Sequence, residues 1–401
     1  MIKVIPTSSL RVGMYVHDLN CDWIDHNFLR NRFLVDDEKT LREIVALGHN
    51  EIYIDVSKGL DVEEAAPTLE ETRKNVDRQI DDIARREAPH PTVELAVERQ
   101  RAKKLHAEAN RIVHGMMNDV RLGKQIEIEH IEPVVTRIVD SIFRQQDALL
   151  PLAQLKNHDE YTFQHSVSVC ALMSSFARAL EMPREIIKEI AVGALLHDVG
   201  KATIPDAILN KPGKLTDAEF EQMKSHVVQS KMLLADTPGI SPIALEVASQ
   251  HHERYDGSGY PNKLKGEGIS RYGQMSAIVD VYDAITSERV YHKGMPPTEA
   301  LRKILEWSKF HFNPELAQVF IRSLGIYPTG SLVRLESGRL GIVEEQHPDK
   351  LMRPKLRVMF HTRGYYLEPE LVDLRYSQDR IVGYEDFAQW KIDPTEWVVR
   401  A

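Results

Sequence analysis

Between residues 126 and 325 the chain reads as a succession of amphipathic helices whose apolar runs are interrupted by histidines and aspartates. Apolar residues recur at helical spacing over 131–150, 162–180, 183–196, 217–236, 242–252, 277–287, 298–309 and 314–324. Thr216, Ser241, Pro297 and Asn313 stand where helix starts are expected. The long interruption is a glycine-rich loop over 253–272. Helices patterned in this way bury their apolar faces against one another, so the expected centre of the protein is an all-helical bundle.

The flanks differ in character. Short strands are expected at 3–5, 13–16 and 52–54, with a helix over 38–47 that ends near Gly48. This is a small α+β module over 1–66. Residues 67–125 are rich in Glu, Arg, Lys and Ala and read as a helical connector, with one long, solvated helix near 93–120. After the helical domain of 126–325, residues 331–335, 340–344 and 356–360 alternate as strands, giving a C-terminal antiparallel β appendage over 326–401. The expected fold class is therefore multi-domain and mainly α. At 401 residues, two or three domains of about 150 residues each are expected.

Composition narrows the function. The formal net charge is −9, which argues against duplex nucleic acid as a partner, because phosphate neutralisation needs a basic face. A small anionic ligand stays open, since metal ions and a few basic side chains can outweigh that charge locally. Cys21 and Cys170 are the only two cysteines and read as reduced thiols rather than a disulfide framework. No apolar run reaches the length of a membrane span, and 1–7 lacks a basic-then-apolar leader, so a cytoplasmic protein is expected.

The chemistry-bearing residues are His165 at the start of an apolar helix, the adjacent His197 and Asp198, His226, the adjacent His251 and His252, and Asp280 within an apolar run. Singly, each has a plain structural alternative: a core histidine at 165, a solvated one at 226, a helix-end histidine at 251. Asp280 is harder to dismiss, because a carboxylate buried in an apolar run is costly unless paired or metal-bound. Imidazole and carboxylate together suit a divalent first-row metal. Lys201 shares a helical face with His197. Gly257, Gly259, Tyr260 and Pro261 form no phosphate-binding loop, since no Gly-Lys-Ser/Thr ending follows.

Taken in order, the His197-Asp198 pair, the His251-His252 pair and the Gly259-Tyr260-Pro261 loop resemble the HD-GYP family, a branch of the HD superfamily of metal-dependent phosphohydrolases. The resemblance covers roughly 150–325. It implies hydrolysis of cyclic di-GMP to linear pGpG and/or GMP, by attack of a metal-held hydroxide on phosphorus. It implies one metal on His165, His197, Asp198 and Asp280, and a second on His226, His251 and His252 with Asp198 as bridge. Tyr161 occupies the position where some members carry a Glu for a third metal, so two divalent ions are expected. Iron or manganese fits the mixed N/O donors best, with nickel, cobalt or zinc also open.

The resemblance further implies catalytic roles for Asp198 and Lys201. Lys201, Arg289, His292 and Lys293 would contact substrate phosphate, and Gly259, Tyr260 and Pro261 would meet diguanylate-cyclase domains. Tyr260 packing on the core is the alternative. Residues 10–16, with Trp23 and Phe28, resemble an uncharacterised domain found before HD-GYP domains. Rival readings are another HD-type hydrolase acting on ppGpp, a deoxynucleotide or a hybrid cyclic dinucleotide, and a non-catalytic nucleotide-binding scaffold. Oligomeric state, including a homodimer, stays open.

Overall fold

The computed structural model describes residues 1–20, 28, 32–62, 66–86, 88–154, 161–211, 213, 215–287 and 294–393. The chain divides into two compact units, Met1–Asp81 with Gly213–Phe220, and Asp82–Pro212 with Glu221–Ala401.

In the first unit, β1 (Ile2–Pro6), β2 (Tyr15–Asp18), β3 (Phe33–Leu34) and β4 (Glu51–Asp55) form an antiparallel sheet in the order β1-β4-β2-β3. Val4 pairs with Tyr53, and Val16 with Ile54. Helix α1 (Glu38–Ala46) starts at Asp37, whose carboxylate accepts from Thr40 N at 2.6 Å. Its Ile44 joins Ile5, Leu10, Met14, Val16, Val35, Ile52 and Ile54 in one core. The expected strands and helix are all present.

Two helices, not one, occupy the stretch read as a connector: α2 (Leu69–Ala84) and α3 (Leu95–Arg121). Helix α3 is not solvated. Ala102, Leu105, Ala109, Val113, Met117 and Val120 recur at three- and four-residue spacing and are buried where α3 packs on α4 (Ile128–Gln154) and α5 (Tyr161–Ala179). Its many charges masked this stripe, because they lie between the buried positions. One charge goes inside: Glu98 is fully buried and accepts from Arg144 Nε and Nη2, both at 2.7 Å, and from Ser141 Oγ at 2.8 Å. Arg144→Ala would leave that carboxylate with the neutral Ser141 hydroxyl and the exposed Arg101, 3.7 Å away. It is expected to cost about 3 kcal/mol, the low end for a broken buried pair, read as a lower urea midpoint at constant slope.

Helix α4 is broken at Gln145 (φ −163°, ψ 95°). The carbonyls freed by the break find donors elsewhere: Arg178 Nη1 reaches Ile142 O at 2.7 Å, and Thr92 N reaches Arg144 O at 2.8 Å. Beyond α5 follow α6 (Arg184–Leu196), the short α7 (Asp206–Leu209), α8 (Asp217–Ala235), α9 (Pro242–Gln250), α10 (Arg271–Thr286), α11 (Pro297–Trp307) and α12 (Pro314–Leu324). Ser241 and Asn313 cap α9 and α12 through their side chains, and Thr216 makes a reciprocal pair with Glu219 at the start of α8. Pro297 is the first helical residue of α11 rather than its cap. Helices α5, α6, α9 and α10 pack on one another and form the frame of the site.

The C-terminal sheet has five antiparallel strands, two more than expected. They are β5 (Leu332–Leu335), β6 (Arg339–Glu345), β7 (Lys355–His361), β8 (Tyr365–Asp373) and β9 (Ile381–Tyr384), in the order β8-β7-β6-β5-β9. The two unforeseen strands are the edges. Pro369 lies inside β8, and only an edge strand tolerates a residue without an N–H. Among the described residues no helix is long and apolar enough to cross a membrane.

Candidate metal centre

The seven expected ligands reach one place from five helices. His165 projects from the second turn of α5, His197 and Asp198 close α6, and His226 lies within α8. His251 and His252 close α9, and Asp280 sits in α10. All but His252 are buried. Two close backbone approaches allow the convergence. A Cβ on Gly193 of α6 would fall 2.7 Å from Ala244 Cα of α9, and one on Gly200 would fall 2.5 Å from Ser230 N of α8.

Ring orientation is set from behind. Nδ1 of His197 lies 2.7 Å from Ala194 O, that of His226 2.7 Å from Met223 O, and that of His251 2.8 Å from Ala248 O. Each Nδ1–H donates to a carbonyl three residues back, which turns Nε2 into the pocket. His165 is held by Asp283 instead, with Nδ1 2.5 Å from Oδ2, and Ser168 Oγ donates to the other oxygen at 2.5 Å.

The Nε2 atoms then meet. His165 and His197 approach to 3.2 Å, and His226 and His251 to 3.4 Å. Asp280 Oδ1 is 3.0 Å from His165 Nε2 and 3.6 Å from His197 Nε2. Asp198 lies between the two groups: Oδ2 is 3.5 Å from His165 Nε2 and 3.3 Å from His197 Nε2, while Oδ1 is 3.3 Å from His226 Nε2 and 3.9 Å from His251 Nε2. Among the described residues, Asp198 Oδ1 is buried and accepts no hydrogen bond. Imidazole nitrogens and carboxylates gathered this closely away from water, and a buried carboxylate oxygen without a donor, are costly unless positive charge fills the gap. Three donor groups have ligand atoms within 4.8 Å of one another: His226, His251 and His252; His165, His197 and Asp280; and His197, Asp198 and His251. The residues fit divalent metal.

Electrostatics agree. Burial pulls His226 down to about 3, His252 to about 4 and His251 well below the ordinary range, so these rings are neutral and able to ligate. Burial also opposes charge on His197, but Asp198 and Asp280 lift it to about 10. Burial opposes charge on both carboxylates, yet Lys201 and His197 hold Asp198, and His165 and His197 hold Asp280, well below the usual range.

Lys201 Nζ lies 2.5 Å from Asp198 Oδ2, at the edge of the pocket. Arg289, His292 and Lys293 lie outside the described residues, as does the Tyr161 side chain. Gly259, Tyr260 and Pro261 form a loop folded back on His252, to whose carbonyl Tyr260 N donates at 3.1 Å.

Sequence reading missed Asp283. The signal was present: a second aspartate three residues after Asp280, on the same face of an apolar helix. Asp283→Asn is expected to weaken metal binding about 10- to 100-fold by releasing the His165 ring, measured by metal titration of the purified protein.

Helices that carry a His-Asp pair into a pocket of buried imidazoles and carboxylates define an HD-type, metal-dependent phosphohydrolase. The profile described as HD domain matches residues 150–316, and that described as Domain of unknown function (DUF3391) matches 2–131. A cyclic di-GMP phosphodiesterase of Pseudomonas aeruginosa is 43% identical over 396 residues, 97% of this chain and 94% of that protein. A cyclic di-GMP phosphodiesterase of Thermotoga maritima is 36% identical over 227 residues, 55% of this chain and 61% of that one. A 3′3′-cGAMP-specific phosphodiesterase of Vibrio cholerae is 34% identical over 185 residues, 44% of this chain and 43% of that one. The chain belongs to the HD-GYP family of phosphohydrolases.

Proposed function

We propose that this protein is a phosphodiesterase that hydrolyses cyclic di-GMP to linear pGpG and/or GMP. The observation that carries the reading is similarity along nearly the whole of a cyclic di-GMP phosphodiesterase, in a chain whose seven donor side chains converge on one pocket. His165, His197, Asp198 and Asp280 would hold one cation, and His226, His251, His252 and the other oxygen of Asp198 a second. Cations so held supply charge stabilisation and water activation. The all-N/O donor set, without thiolate, favours iron or manganese.

The protein's own groups then have distinct tasks. Asp198 holds the two halves of the pocket in register. The carbonyl and carboxylate partners of the imidazoles keep their Nε2 atoms facing inward. Lys201, released from Asp198 when cations balance that carboxylate, is placed to donate to a phosphate oxygen. Arg289, with His292 or Lys293 beside it, would grip phosphate through charged hydrogen bonds. In hydrolysis the water oxygen joins phosphorus, the bond from phosphorus to the 3′ oxygen breaks, and that oxygen takes a proton.

The test is elemental analysis of anaerobically purified protein, coupled to separation of products from cyclic di-GMP and from 3′3′-cGAMP. Two metals per chain and preferential release of pGpG or GMP from cyclic di-GMP are expected. Preference for the hybrid dinucleotide would reassign the substrate. Binding without turnover in the metal-loaded protein would favour the scaffold reading.

A further inference from the structure

Among the described residues, His252 is the imidazole of the pocket for which no hydrogen bond fixes the ring. His165, His197, His226 and His251 each have a ring nitrogen held from behind. Asp280 Oδ2 lies 3.7 Å from the His252 Nδ1, beyond hydrogen-bond reach. Its side chain is also 24% exposed, against 10% or less for the other six ligand candidates. A ligand at the rim that no polar partner orients would lose rotamer entropy on binding a cation unless packing fixed it.

What faces this ring is another ring. Tyr260 stacks on His252 with centroids 4.7 Å apart and planes 25° from parallel. The loop is built to bring it there. Glu253 is buried, and its two oxygens accept from Asn262 N at 2.7 Å and Leu264 N at 2.9 Å. Gly259 lies so near the chain that a Cβ would stand 2.5 Å from His252 O. Residues 253–264 thus close on themselves, and the Tyr260 ring covers one face of the imidazole.

We propose that Tyr260 is a positioning residue: by stacking, it holds His252 in the orientation that ligates a cation at the His226–His251–His252 position, and so sets the occupancy of that position alone. This rests on the two-cation reading above. The loop does for His252 what a carbonyl or carboxylate does for the other four rings.

The test is anaerobic titration of the metal-free full chain with Co²⁺, followed by visible absorption and elemental analysis. The parent protein should take up two equivalents. Tyr260→Ala should keep one and bind the other about 10- to 100-fold more weakly. Tyr260→Phe, which retains the ring, should keep both. His252→Ala should resemble Tyr260→Ala, and the double variant should be no worse than His252→Ala, because the tyrosine acts through the histidine. Unchanged binding in Tyr260→Ala, equal weakening of both equivalents, or additive losses in the double variant would overturn the proposal. Fewer than two equivalents in the parent protein would overturn the two-cation reading beneath it.

Discussion

Asp198→Ala is expected to abolish metal binding at both positions and to reduce hydrolysis on the order of a thousandfold or more, a loss of about 4 kcal/mol of transition-state stabilisation. The reason is geometric. One oxygen of Asp198 faces His165 and His197 and the other faces His226 and His251, so a single truncation removes a donor from each group. It also removes the 2.5 Å partner of Lys201 and leaves that ammonium facing a pocket of imidazoles. A terminal ligand touches one group only, so His226→Ala should keep the His165–His197–Asp280 position loaded. The measurements are metal content, turnover and far-ultraviolet circular dichroism of each variant. Helical signal should persist in Asp198→Ala, because the apolar contacts among α5, α6, α9 and α10 do not involve its carboxylate. Near-parental hydrolysis by Asp198→Ala would end the shared-carboxylate account.

How much of this was legible depends on where the information lies. His165 and Asp280 could be singled out because each breaks an apolar helical run, and a polar group in such a run needs a reason. The pairs His197-Asp198 and His251-His252 stood at helix ends, and that is where the chain can turn both members inward. Asp283 shares the apolar face of Asp280, but its role is not legible there, because its partner His165 is 118 residues away. The break at Gln145 was equally silent. It is maintained by donors from distant segments, among them Thr92 and Arg178. Charge content misled at α3, where exposed Glu, Arg and Lys surround a narrow buried stripe. The edge strands β8 and β9 were hidden by Pro369 and by the brevity of Ile381–Tyr384, features that suit edges and weaken any pattern-based reading.

The metal-free protein should bind divalent cations about tenfold more tightly per pH unit between about pH 6 and about pH 8, and should release a proton as it does so. Burial keeps His226 and His252 neutral at about 3 and about 4, and His251 lower than usual, so none of these rings must lose a proton to ligate in that window. His197 differs. Burial works against its charge, but the adjacent Asp198 and Asp280 raise it from 6.5 to about 10. In the metal-free pocket its proton is the positive charge that two buried carboxylates require, and a cation taking the same Nε2 must displace it. The sign for folding is opposite to that for binding. A histidine raised in the folded state contributes stability that is fully present below pH 6.5 and is lost as pH rises toward about 10. The metal-free protein should therefore melt at progressively lower temperature over that range. The loaded protein should gain on it, since binding to the folded state strengthens as the proton becomes easier to remove. Calorimetric titration in two buffers of different ionisation enthalpy counts the released proton, and thermal unfolding with and without chelator follows the widening gap. Cation affinity that stays flat across this window would show that His197 carries no proton to displace, and that Lys201 alone balances Asp198.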